Sequence, residues 1–197
     1  MSAHAQAKIT AEEYLDRERA ADSRSEFYGG YVYAMSGGTW AHATLISNVA
    51  RRLGNALDGT PCGVSSSDMR LEVAPRTMYT YADVMVIRGE PRFVDARKDA
   101  VTNPTVIVEV LSPSTEAYDR GFKAQQYRAI ESLQEYALIS QDQPRVEVYR
   151  RREGQWWLKD VVGLESSCRF ESVNAAIPLS EIYDRISFEA LAGPPRE

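Results

Sequence analysis

Histidine, cysteine and lysine are scarce in this chain, which has two, two and four of them among 197 residues. His4 and His42 lie far apart, as do Cys62 and Cys168, so no CxxC or Cys/His ligand spacing forms and the sequence argues against a zinc centre. Long apolar runs are also missing. No stretch approaches the roughly 20 residues of a membrane helix, and no charged, apolar and small-residue leader opens the chain. These absences predict a soluble cytoplasmic protein with reduced thiols and no membrane partner. Low-complexity tracts are absent too, so residues 1–197 read as a single domain, with a core at about 10–162 and a C-terminal extension at 163–197. The net charge of −5 argues against a protein that coats nucleic acid nonspecifically, although it leaves room for a local footprint.

What is present is acid in the wrong company. Thr105-Val-Ile-Val-Glu109-Val-Leu is an apolar run with one carboxylate inside it. Burying a carboxylate without a partner or a metal costs several kcal/mol, roughly the penalty of an uncompensated interior charge. Upstream, Asp83 opens a second apolar strand at 81–87, and Lys123 follows on a helix. Carboxylates on two adjacent strands can converge on one ion, whereas neighbours along one strand point to opposite faces. Mg²⁺ takes oxygen ligands and usually only one or two protein carboxylates, so Asp83 and Glu109 suit it, with Mn²⁺ as a substitute. Two strand acids and a lysine suggest a metal-dependent hydrolase of phosphodiesters.

The rest of the chain predicts a mixed α/β domain. Thr10 and Glu13 form a capping box for a first helix, residues 25–36 read as a hairpin turning at Gly29-Gly30, and Leu45, Val49, Leu53 and Leu57 stripe a helix over 39–57. Strands follow at 62–73, 81–87 and 105–111, then a helix at 119–132, a strand at 136–140 and a hairpin pairing 145–149 with 156–162 through Gly154. A short amphipathic segment at 179–191 precedes a Pro-Pro terminus that should fray. Trp156 and Trp157 are adjacent on a strand, so one faces the core and the other faces outward.

Several of these residues together resemble a known family. Glu26-Phe-Tyr-Gly-Gly, His42 on the following helix, the Asp83-led strand, Val108-Glu-Val-Leu-Ser-Pro-Ser-Thr115 and Asp119-x-x-x-Lys123-x-x-x-Tyr127 are similar to the Uma family. Its members are restriction-endonuclease-like proteins of the PD-(D/E)XK nuclease superfamily. The resemblance covers about 10–162 and implies an α/β fold with a mixed central β-sheet flanked by helices. It implies Mg²⁺-dependent hydrolysis of DNA, with Asp83 and Glu109 as metal ligands and catalytic residues. Two positions depart from the superfamily pattern. Ala82 replaces the proline before the aspartate, and Leu111 stands where the strand lysine would be, so the resemblance implies that Lys123 comes in from the helix.

Glu26, His42 and Tyr127 are auxiliary candidates: Glu26 for water positioning or a second metal contact, Tyr127 because it lies one turn from Lys123. Lys123 reads as a surface-accessible lysine whose removal leaves stability nearly unchanged. Two other readings compete. A catalytically inactive nuclease-fold module would bind nucleic acid or a protein partner without turnover, and a purely structural protein would pair Glu109 with an arginine. A two-fold homodimer suits an enzyme that cuts both DNA strands.

Overall fold

A computed structural model describes residues 8–35 and 37–188. Helix α1 (Ala11–Ala20) starts as its capping box requires: Thr10 Oγ1 accepts from the Glu13 amide at 3.1 Å, and Glu13 returns a carboxylate to the Thr10 amide at 2.8 Å. Strands β1 (Ser25–Tyr28) and β2 (Tyr31–Ala34) form the hairpin, whose turn needs positive φ at both Gly29 (57°) and Gly30 (97°). Helix α2 (Trp40–Ala56) is capped by Thr39 and buries Leu45, Val49 and Leu53 on one stripe, as the periodicity predicts.

The run at 62–73 is not one strand. It divides into β3 (Cys62–Ser66) and β4 (Arg70–Ala74), which join different sheets. Ser66, Ser67 and the exposed Asp68 turn the chain between them, because short polar side chains satisfy a turn backbone more readily than a ladder. Next come β5 (Met78–Tyr81), β6 (Val84–Arg88), β7 (Ala100–Val101) and β8 (Val106–Val110).

The helix predicted at 119–132 begins earlier, ends earlier and is not regular. It consists of α3 (Glu116–Tyr118), a π-helical turn (Asp119–Lys123) and α4 (Ala124–Tyr127). It ends where Arg151 takes over capping, donating to the Arg128 carbonyl at 2.7 Å and the Ile130 carbonyl at 2.8 Å. Strand β9 (Glu135–Ile139) follows, then the long hairpin β10 (Arg145–Arg152) and β11 (Gln155–Val162), a small hairpin β12 (Ser167–Phe170) and β13 (Ala175–Pro178), and a single-turn α5 (Leu179–Ile182). Of the segment predicted at 179–191, only α5 is helical among the described residues, and the Pro-Pro terminus lies outside them.

Two sheets organise these elements. One has the order β2-β1-β5-β4-β7, and the other is a mixed sheet, β11-β10-β9-β8-β6-β3, in which β8 and β9 run parallel across the helical crossover. The central strands of the mixed sheet are covered on both faces, which explains their continuous apolar runs. Val84, Val86, Val106, Val108 and Val110 face α2, and Met85, Ile107 and Leu111 face the crossover helix and the other sheet. Residues 168–183, expected outside the core region, supply Cys168, Phe170, Ile177 and Ile182 to the α2 side of that core. Of the two tryptophans, Trp156 packs half-buried beneath Arg151 and Trp157 is exposed.

Candidate active site

The chain passes from one sheet to the other at Ala82-Asp83, between β5 and β6, and the site is built on that seam. Val84 pairs with Val108 in an antiparallel register, so Asp83 comes opposite Glu109 on the same face. The two carboxylates trade backbone bonds: the Val110 amide donates to Asp83 Oδ2 at 2.7 Å, and the Asp83 amide donates to Glu109 Oε2 at 3.2 Å. Both acids therefore sit where the sequence predicts, on neighbouring strands and facing the same way.

Among the described residues Glu109 meets no arginine. Its Oε1 accepts from Lys123 Nζ at 3.1 Å and from the Tyr127 hydroxyl at 2.8 Å, both donors lying on the crossover helix. Lys123 is buried, with 6% of its surface exposed, which corrects the expectation of a surface lysine. Its ammonium also lies 3.2 Å from Glu26 Oε1 and 3.5 Å from Asp119 Oδ1. Glu26 reaches it from β1 and is held by the hydroxyls of Thr80 and Tyr118, while Arg24 pairs with Asp68. His42, in the first turn of α2, places Nε2 at 3.5 Å from Asp83 Oδ2. A Cβ at position 38 would fall 2.7 Å from His42 Nδ1, so the imidazole lies where only glycine leaves room. All six residues singled out in the sequence thus converge: Asp83, Glu109 and Lys123 at the centre, with Glu26, His42 and Tyr127 around them.

Asp119 was not singled out as a site residue. Its i,i+4 spacing to Lys123 was the available signal, but the same spacing marks ordinary solvated helix pairs. Thr80 and Tyr118 carry no such signal, since a threonine in a buried strand and a tyrosine on a helix have no distinguishing pattern.

Three carboxylates surround the Lys123 ammonium and a fourth, Asp83, adjoins them, and the electrostatics follow from that imbalance. Burial, reinforced by the neighbouring Glu109 charge, pushes the Asp83 carboxyl up to about 8. Burial and Glu109 together push Asp119 up to about 7. Burial alone would lower the Lys123 pKa, but Glu109, Glu26 and Asp119 outweigh it and hold the lysine well above its ordinary value. Burial also lowers the His42 pKa, against the opposing pull of the Val110 backbone and Glu109, and so favours the neutral imidazole.

The donor set suits a hard divalent cation. Asp83 and Glu109 offer carboxylate oxygens side by side, and a dication would satisfy the excess negative charge that protonation otherwise relieves. Among the described residues no group of three or more His, Cys, Asp or Glu side chains is placed so as to cage a metal ion. An ion that keeps several waters, as Mg²⁺ does, needs no such cage. Beside the cluster opens a cavity of about 640 Å³, with Glu26 and Lys123 on its lining together with Tyr28, Tyr33, Tyr118 and Phe122.

A mixed sheet flanked by helices, with paired strand acids at its seam, defines a nuclease-like α/β fold. The fold is similar to that of a crystal structure of a putative nuclease belonging to DUF820 from Anabaena variabilis, with a TM-score of 0.72 and 16% identity over 89% of this chain and 97% of that one. The chain belongs to the Uma2 family, described as putative restriction endonuclease, which matches residues 11–177. Two Synechocystis proteins, both named only as uncharacterized, are similar along most of their length. The protein sll1609 is 41% identical over 163 residues, covering 82% of this chain and 92% of that protein. The protein slr1290 is 34% identical over 185 residues, covering 92% and 94% respectively.

Proposed function

We propose that the protein is a Mg²⁺-dependent endonuclease that hydrolyses DNA phosphodiesters. The observation that carries this reading is the Asp83–Glu109 pair, side by side at the junction of two sheets with the Lys123 ammonium against one of its oxygens. Asp83 and Glu109 would hold the ion, which when bound supplies Lewis-acid polarisation of the phosphate and lowers the pKa of water. The rest belongs to the chain. Tyr127 and Lys123 fix the rotamer of Glu109, and the Val110 amide fixes that of Asp83, so both oxygens are presented without reorganisation. Lys123 places positive charge where the attacked phosphate gains negative charge. Neutral His42, beside Asp83, can accept a proton at Nε2.

The reading includes a cytoplasmic setting, in which Cys62 and Cys168, both free thiols, stay reduced. No helix among the described residues is long and apolar enough to cross a membrane. It also includes a two-fold dimer, which would give a double-strand cutter its second site. Among the described residues β11 is an unpaired edge strand, and that edge fits a second copy: antiparallel pairing with Leu158 on the two-fold axis sets Trp157 opposite Lys159 and opposes no like charges.

The test is cleavage of supercoiled plasmid and of a labelled oligonucleotide with Mg²⁺ or Mn²⁺, using wild type, Asp83→Asn, Glu109→Gln and Lys123→Met. Metal-dependent cleavage by wild type and loss of at least about 100-fold in each variant is the expected result, the scale of removing a group that stabilises transition-state charge. Undiminished cleavage by Asp83→Asn and Glu109→Gln would refute the assignment.

A further inference from the structure

The cavity beside Lys123 has walls that the hydrolysis of a phosphate does not require. The rings of Tyr118 and Phe122 stack with centroids 5.5 Å apart and an interplanar angle of 15°. Tyr28 meets Phe122 edge-on, at 4.7 Å and 79°. Across from them β2 and the segment after it present Tyr33 and Met35, which are 51% and 38% exposed. Aromatic and thioether surface left open around a concave space is surface awaiting a flat apolar partner. The floor is different. Glu26, Lys123, Ser114 and Thr115 bring charge and hydroxyls to the same space, which suits a ring with polar edges and does not suit an alkyl chain.

We infer that this cavity receives an unpaired nucleobase of the substrate strand, stacked among Tyr28, Tyr33, Tyr118 and Phe122 next to the carboxylate cluster. The inference rests on the nuclease reading and adds the substrate class, a single-stranded or locally unpaired nucleic acid. Two observations support it besides the aromatic walls. The volume of about 640 Å³ is within the range of sites that enclose a small-molecule-sized group and is ample for a nucleoside. Lys123 and Glu26 belong to both places: they line the cavity, and Lys123 Nζ lies 3.2 Å from Glu26 Oε1 and 3.1 Å from Glu109 Oε1, so the cavity borders the carboxylate cluster directly.

The experiment uses the full chain without metal, titrated into a single-stranded oligonucleotide that carries one 2-aminopurine, into the matching duplex, and into a strand of equal length with an abasic run. Wild type should bind the single strand more tightly than the abasic strand and quench the 2-aminopurine. Tyr33→Ala, a change at an exposed position, should weaken binding by about 5- to 100-fold, the range of one lost base stack, and Tyr33→Phe should restore it. Equal affinity for intact and abasic strands, an unaffected Tyr33→Ala, or no binding to any of them would overturn the inference. Metal-dependent cleavage measured on the same preparations separates the two claims. Cleavage without base dependence leaves the nuclease reading standing and removes the base site. Base-dependent quenching that Tyr33→Ala abolishes, without cleavage, keeps the base site and removes the nuclease.

Discussion

Lys123 is surrounded by carboxylates on three sides, and that makes its removal a stability experiment as much as a catalytic one. Lys123→Met would leave Glu109, Glu26 and Asp119 buried around an apolar side chain. Deleting one partner of a buried ionic cluster costs about 3–5 kcal/mol, so urea unfolding at pH 8 should show a loss of that order. A surface lysine would show almost none. The acids give a second prediction. Asp83 and Asp119 have folded-state pKa values raised from 3.8 to about 8 and about 7, so between pH 4 and 8 the folded state binds protons that the unfolded state has released. Stability of the metal-free protein should therefore fall as pH rises through that window. Lys123, whose pKa is raised, loses its contribution only above the ordinary lysine range and does not enter. Melting scans from pH 5 to 8 should show the decline, Asp83→Asn should flatten it, and saturating Mg²⁺ should offset it by about 2.7 kcal/mol at a hundredfold excess over its dissociation constant. A profile that rises with pH would contradict the raised values. The positions of Asp83 and Glu109 were legible because an acid in an apolar strand has few explanations. The burial of Lys123 was not, because a helix lysine looks the same in sequence whether it meets solvent or three carboxylates.

At the scale of elements, those with local signals were legible and those shaped by distant contacts were not. Thr10 with Glu13, Thr39, and Gly29-Gly30 fixed two helix starts and a hairpin through bonds made within a few residues. The crossover helix carries no such mark. The carbonyls at its end are met by Arg151, more than twenty residues away, and its π-helical turn buries Asp119 and Lys123 together. Gly121 sits inside that turn without positive φ, and nothing lies within 4 Å of a Cβ placed there. Gly121→Ala should accordingly raise stability by about 0.4–1 kcal/mol, through the lost freedom of the unfolded chain. A thermal melt measures it, and a decrease would mean that the wide turn needs glycine's backbone. The division of 62–73 between two sheets was hidden for a related reason: alternation continues across Ser66-Ser-Asp, and only the tertiary pairing of β3 with β6 and of β4 with β5 tells the halves apart.

At the scale of the molecule, the longest sheet edge left unpaired among the described residues is β11, with Trp157 and Leu158 exposed by 58% and 53%. An open edge invites pairing with another chain. Sedimentation should find a dimer in the wild type that Trp157→Glu shifts toward monomer, and an unaltered monomer in both would remove the proposed partner. The architecture was legible from the order of helices and strands, which gave an α/β domain, and from the family resemblance, which implied its mixed central sheet. That a second sheet closes over its seam was not, because β1, β4 and β5 are short and meet only in three dimensions.

That seam has a consequence in time. The bonds of the site cross it, from β1 to the crossover helix, from the helix to β8, and from β8 to the chain entering β6. Separating the sheets exposes the acids to water, and an ion bound between Asp83 and Glu109 would have to leave before the strands on either side opened together. Hydrogen–deuterium exchange should therefore slow on addition of Mg²⁺ in β5 and β1 as well as in β6 and β8, including amides that never approach the ion. Slowing confined to Asp83 and Val110 would mean that the two sheets open independently and that the clasp holds only its own hinge.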